Sequence, residues 1–143
     1  MPSRLKIVPD VVHNQKVCAM HVDGLADEAA RRMRLLKIGA IVVVDNQGRV
    51  IGIVTERDIT WRVVAEGRDP AVVLLGDIMT RNPDTLAPHD TAHNALDMMR
   101  MRGYRHLPVI DGSRLVGMVS ARDLYEVTKL DLEEMINAIQ KHG

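Results

Sequence analysis

The chain states one pattern twice, and any fold it adopts must accommodate that doubling. Residues 33–59, MRLLKIGAIVVVDNQGRVIGIVTERDI, return as residues 99–124, MRMRGYRHLPVIDGSRLVGMVSARDL, shortened by one position in the turn. A constant offset pairs Met33 with Met99, Arg34 with Arg100, Val43 with Val109 and Asp45 with Asp111. Past the turn, Arg49 falls on Arg114, Gly52 on Gly117, Arg57 on Arg122 and Asp58 on Asp123. Upstream, Met20 falls on Leu86, Ala26 on Ala92 and Ala29 on Ala95. Each unit then runs roughly 45 residues, within the range of internal repeat periods. Two copies are too few for an extended solenoid. Two units that bury their apolar faces against each other, forming one compact domain, suit a chain of this length.

Both units read alike locally. Asp23 to Lys37 set Leu25, Ala29, Met33 and Leu36 on one helical face, with charged residues opposite. Ala40 to Val44 is continuously apolar and β-branched, breaks at Asp45-Asn46-Gln47-Gly48 and resumes as Val50 to Val54, which predicts a hairpin. The second unit has Leu86 as a short strand and a helix through Arg102 with Asp90 as its N-cap. Strands Leu107 to Ile110 and Leu115 to Val119 follow, around Asp111-Gly112-Ser113. A further helix opens after each second strand, at Asp58 and at Asp123. The fold class is α+β, two β-α-β-β-α repeats. Ile59, Trp61, Val63 and Val64 extend a helical pattern into the linker before Gly67 and Asp69-Pro70 break it. Leu124 to Lys141 predicts an amphipathic helix carrying Leu130, Ile136 and Ile139, placed to pack on its own pair or to meet a dimer mate or another partner.

Composition narrows the function. With 19 basic and 19 acidic residues, dispersed and summing to zero, nothing favours nucleic acid or an anionic membrane. No run of 18 apolar residues exists, and the start MPSRLKIVPD lacks a signal-peptide segment, so a cytoplasmic protein is expected. Lone Cys18 forms no internal disulfide and reads as packing rather than a reactive thiol. With no Phe, two Tyr and one Trp against nine Met, aliphatic and Met side chains fill the core. Met98, Met99 and Met101 read as helix packing rather than a soft-metal site. His89 and His93 have a metal-compatible spacing but no third ligand, and no metal site is expected. G-x-S-x-G, H-E-x-x-H and G-x-x-x-x-G-K-[ST] are all absent, so the chain is read as neither an enzyme nor the carrier of a catalytic cofactor.

Taken together, these segments resemble a tandem pair of CBS domains, the module named after cystathionine β-synthase, in its stand-alone bacterial form. The resemblance rests on ADEAARRMRLLKIGAIVVVDNQGRVIGIVTERDI in the first copy and PDTLAPHDTAHNALDMMRMRGYRHLPVIDGSRLVGMVSARDL in the second, with DIMTRNP leading into it. It implies a first repeat at 10–66, a linker at 67–82, a second repeat at 83–128 and a C-terminal helix at 129–143. It further implies repeats packed sheet to sheet about a pseudo-twofold axis with clefts between them, and homodimers forming a flat four-repeat disc. The ligand implied contains adenosine: AMP or ATP first, then ADP, NAD or S-adenosylmethionine. Binding in a cleft would regulate a partner enzyme or transporter. The alternative is a ligand-free dimerisation or docking scaffold.

The resemblance assigns to the ligand Thr85, Gly103, Tyr104, Arg105, His106, Leu107, Pro108, Ser120, Arg122 and Asp123 in the second copy, and Thr55, Arg57 and Asp58 in the first. An ionised carboxylate only accepts hydrogen bonds, so one Asp can take both hydroxyls of a ribose cis-diol. The hydroxyl three residues before it sits at a strand end, next to helix amides that favour anions. The other reading of Asp58 and Asp123 is a helix cap. Backbone groups and Tyr104 would frame the purine. Arg105, His106, Arg57 and Arg122 would meet phosphate, His106 most strongly when protonated, although each arginine also reads as a solvated side chain or salt-bridge partner. The first copy has Lys37 and Val42 where the second has Gly103 and Pro108.

Overall fold

The computed structural model describes residues 5–13 and 15–142. Met1 to Arg4, part of the start read as lacking a leader, and Asn14 lie outside the described residues, as does Gly143, the last residue of the expected C-terminal helix. The chain forms two compact units, one of Val17–Pro83 and one of Met1–Lys16 with Asp84–Gly143.

The first-repeat unit is built on a four-stranded sheet in the order β1-β2-β3-β4. Strand β1 (Ala19–His21) runs parallel to β2 (Ala40–Val44), and β3 (Val50–Thr55) is antiparallel to both β2 and β4 (Thr80–Arg81). The AIVVV run of β2 is β-branched and almost wholly buried, as a central strand requires. Its hairpin turns on Asp45, whose Oδ1 accepts the amides of Gln47 and Arg49 at 2.9 Å each, and on Gly48 at φ +77°.

Helix α1 (Ala26–Leu36) buries Ala26, Ala29 and Met33. Leu36, expected on that face, is 52% exposed. The helix stops there because Lys37 turns left-handed at φ 56°, and Ile38, bonded through its amide to the Met33 carbonyl, packs on the core instead.

Beyond β3, helix α2 (Glu56–Ile59) continues into a π-helical turn at Thr60–Val64. Of the apolar run expected there, Val63 is buried, whereas Trp61 and Val64 are exposed. The chain then returns to the same core. Val73 and Met79, with Leu75 and Ile78 of α3 (Leu75–Ile78), are buried, and the Val73 carbonyl accepts the Ala26 amide at 2.9 Å.

The second-repeat unit follows the same plan with different pieces. Helix α4 (Ala92–Arg102) buries Ala92, Ala95 and Met99, while Met98 is partly buried and Met101 exposed. Strands β5 (His106–Asp111) and β6 (Arg114–Ser120) form the hairpin. The register shift at Val43/Val44 recurs at Val109/Ile110, so the bulge is part of the repeat. Leu86 makes one parallel bridge to Val109 and no strand, because the chain turns at once, the Asp90 amide bonding back to the Ala87 carbonyl.

The N-cap of α4 is Thr91, not Asp90. Thr91 and Asn94 form a reciprocal capping box, while the Asp90 carboxylate is taken by the Ala87 amide at 2.7 Å. Similarly, α2 and α5 (Ala121–His142) begin two residues before Asp58 and Asp123, which occupy the first turn.

The core of this unit is completed from the chain's other end. Ile7 is fully buried and Val12 nearly so; the Ile7 amide bonds to the Asp90 carbonyl at 2.8 Å, and the Leu5 carbonyl accepts the Ala92 amide at 2.8 Å. Lys6 bridges to Thr91 as Leu74 does to Leu25 in the first-repeat unit. Gln15 extends the contact, its Oε1 accepting the Met118 amide at 2.8 Å. Residues 5–13, with Gln15, thus form a strap that serves the second repeat as residues 73–81 serve the first.

Candidate ligand site

The start of β5 and the end of β6 lie side by side, His106 opposite Ser120, and the Arg105 carbonyl accepts the Ala121 amide at 2.9 Å. This corner sets Ser120 immediately before α5, where Asp123 falls in the first turn. The Ser120 amide donates to Asp123 Oδ2 at 2.8 Å, and the Asp123 amide donates to Ser120 Oγ at 3.0 Å. Asp123 is therefore a cap, as one of the two sequence readings holds. Capping uses only Oδ2: among the described residues, Oδ1 accepts no hydrogen bond, and Asp123 is only half-buried. A carboxylate in this state holds its helix and still offers acceptor sites outward.

The other second-copy candidates differ in burial and setting. Gly103 ends α4 at φ +76°, a left-handed position that glycine takes without strain. Tyr104 packs half-buried on the core, His106 is half-buried, and Arg105 and Arg122 are exposed. Leu107 and Pro108 are buried; the Pro108 carbonyl accepts the Leu86 amide at 2.8 Å, so both shape the corner from within. Thr85, next to Leu86, is exposed.

In the first copy the corresponding corner is closed by the Glu56 amide bonding to the Gly39 carbonyl at 3.0 Å. Here the carboxylate is far more occupied. Asp58 Oδ2 accepts the Thr55 amide at 2.9 Å and the Thr55 hydroxyl at 3.2 Å, and Oδ1 lies 3.7 Å from Arg62 Nε. Asp58 is 8% exposed. The Arg57 guanidinium lies over the Trp61 ring, 5.2 Å from its centroid.

Arg62 was not singled out from sequence, although its spacing from Asp58 on a helix was legible, as was Val127 at the matching position of the second copy. Gln15 gave no such signal, because its partner is remote in the chain. Among the described residues no three His, Cys, Asp or Glu side chains come together to hold a metal; His93 instead pairs with Asp97 at 3.2 Å. No described helix is long and apolar enough to cross a membrane.

The repeated fold has counterparts in known proteins. The CBS-domain family profile matches twice, at residues 10–65 and 75–129. The chain belongs to the CBS-domain family. A CBS-domain protein of Burkholderia ambifaria, described as a candidate signal-transduction protein, superposes with a TM-score of 0.83 at 27% identity, over 88% of this chain and 95% of that one. A CBS-domain protein of Agrobacterium tumefaciens gives 0.75 at 32% identity, over 80% and 85%. A Methanopyrus kandleri protein is 36% identical over 103 residues, 71% of this chain and 53% of its own. The chain spans about half the length, or less, of curated relatives that it matches. The mixed α+β architecture with two CBS repeats is thus shared with its relatives.

Proposed function

We propose that this CBS pair is a regulatory protein that binds an adenosine-containing ligand through its second repeat and modulates a partner enzyme or transporter. The observation that carries this reading is Asp123, held by Ser120 through one carboxylate oxygen while the other accepts no hydrogen bond among the described residues. A ribose cis-diol supplies two O–H donors to such a group. The positive end of α5, with exposed Arg105 and Arg122 near the corner, suits the phosphates of AMP or ATP, the first choices. ADP, NAD and S-adenosylmethionine carry the same ribose and belong to the same test. The signal-transduction description of the Burkholderia relative agrees with a regulatory role. No nucleophile and base constellation recommends catalysis.

The test is isothermal titration with AMP and ATP on the wild type and on Asp123→Ala. Saturable binding that is lost in the variant is expected; equal affinity in both refutes the ribose assignment. A scaffold reading, in which the repeats dimerise or dock without ligand, has its own support in α5, whose Leu130, Leu132, Ile136 and Ile139 are exposed. It predicts no binding heat with any adenosine compound.

A further inference from the structure

The two copies of the capping carboxylate differ in a way that the repeat itself does not require. In the second copy one oxygen serves the cap and the other accepts no hydrogen bond among the described residues. In the first copy the Thr55 hydroxyl joins the amide on Oδ2, and Arg62 Nε lies 3.7 Å from Oδ1. Arg62 is itself fixed from the far side: its Nη1 donates to the carbonyls of Ile78 at 2.9 Å and Met79 at 3.3 Å, where the chain leaves α3 for β4. The guanidinium thus spans Asp58 and the returning segment within a single unit. Val127 occupies the matching position of the second repeat and offers no such donor. A carboxylate with two donors on one oxygen, a guanidinium 3.7 Å from the other and only 8% exposure presents little of itself to a diol.

We propose that Arg62 makes Asp58 a structural, closed copy of the site, so that each chain takes one adenosine-type ligand, at the second repeat. The stoichiometry rests on the reading given above; the clamp does not. Arg62 is in this account a positioning residue, tying the start of α2 to residues 78–79, and the first repeat acts as fixed framework.

The test has two arms on the full chain. Without ligand, a double-mutant cycle of Asp58→Asn and Arg62→Val is read by urea denaturation. The double variant is expected to be less destabilised than the sum of the single variants. Additive losses overturn the clamp. With AMP and ATP, titration of the wild type and of Asp58→Asn is expected to give one ligand per chain with dissociation constants agreeing within about twofold. Two ligands per wild-type chain, or a drop in stoichiometry in Asp58→Asn, overturn the closed-copy assignment. If neither nucleotide binds the wild type, the ligand reading and the stoichiometry fall together, and the cycle alone decides the clamp.

Discussion

Gly52 offers the sharpest test of how the returning segment is seated. An ideal Cβ there would lie 2.3 Å from Met79 Sδ, 2.9 Å from Met79 Cγ and 3.0 Å from the Thr80 carbonyl oxygen. Met79 is 5% exposed, so its side chain has no solvent to retreat into, and Thr80 belongs to β4, paired across from β3. Gly52→Ala must therefore displace a packed thioether or pry β4 from β3. Overpacking of this kind costs about 1–3 kcal/mol, partly offset because alanine loses less backbone freedom on folding than glycine. We expect a net destabilisation of about 2 kcal/mol, read from the urea midpoint at constant slope. Met79→Ala, which leaves a cavity, is expected to destabilise by about 2–4 kcal/mol. The two are expected to compensate: the double variant should lie well above the sum. A Gly52→Ala protein within about 0.5 kcal/mol of wild type, or strict additivity with Met79→Ala, refutes the steric account.

Lys37 holds a left-handed conformation that glycine takes in the other repeat, so Lys37→Gly is expected to stabilise by about 0.5–1 kcal/mol in the same assay. Ile7→Ala is expected to cost about 2–5 kcal/mol and to speed hydrogen exchange at the Ala92 amide, which bonds within the strap contact. The Asp45 carboxyl lies below its ordinary value of 3.8, held down first by the Arg49 amide, then by the Arg49 side chain and the Gln47 amide. Its contribution to the turn is therefore present above the unfolded value and lost as pH falls through the lower folded one. An NMR titration of Asp45 should show that low midpoint, and Arg49→Ala should raise it.

Hairpins, helix order and the second-copy corner were legible because they are local: β-branched runs, turn residues and the T/S-x-x-D spacing each report on neighbours in sequence. The cap of α4 was misplaced by one residue because Asp90 and Thr91 both carry a cap oxygen. The choice is made by Asn94, three residues after Thr91, together with the pull of Ala87 on Asp90. Leu36 followed the helical period but lost its burial to a left-handed turn that a lysine does not advertise. The strap was invisible because KIVPDVV and LLGDIMT share little beyond buried apolar positions, so self-comparison passes over them. Asp58 and Asp123 look equivalent in the repeat; what separates them is Arg62, whose importance depends on carbonyls sixteen and seventeen residues away.

The strap also sets an order of events during synthesis. Residues 17–83 form a contiguous unit and have every piece of their core once Met79 and β4 have left the ribosome. Ile7 and Val12 are made earlier still, yet the partners that bury them, from Leu86 to Leu124, emerge after that whole unit. Until then these apolar side chains have no native seat, and the second repeat closes only when residues 7–12 meet residues 86–124, a long-range closure of the kind that slows folding.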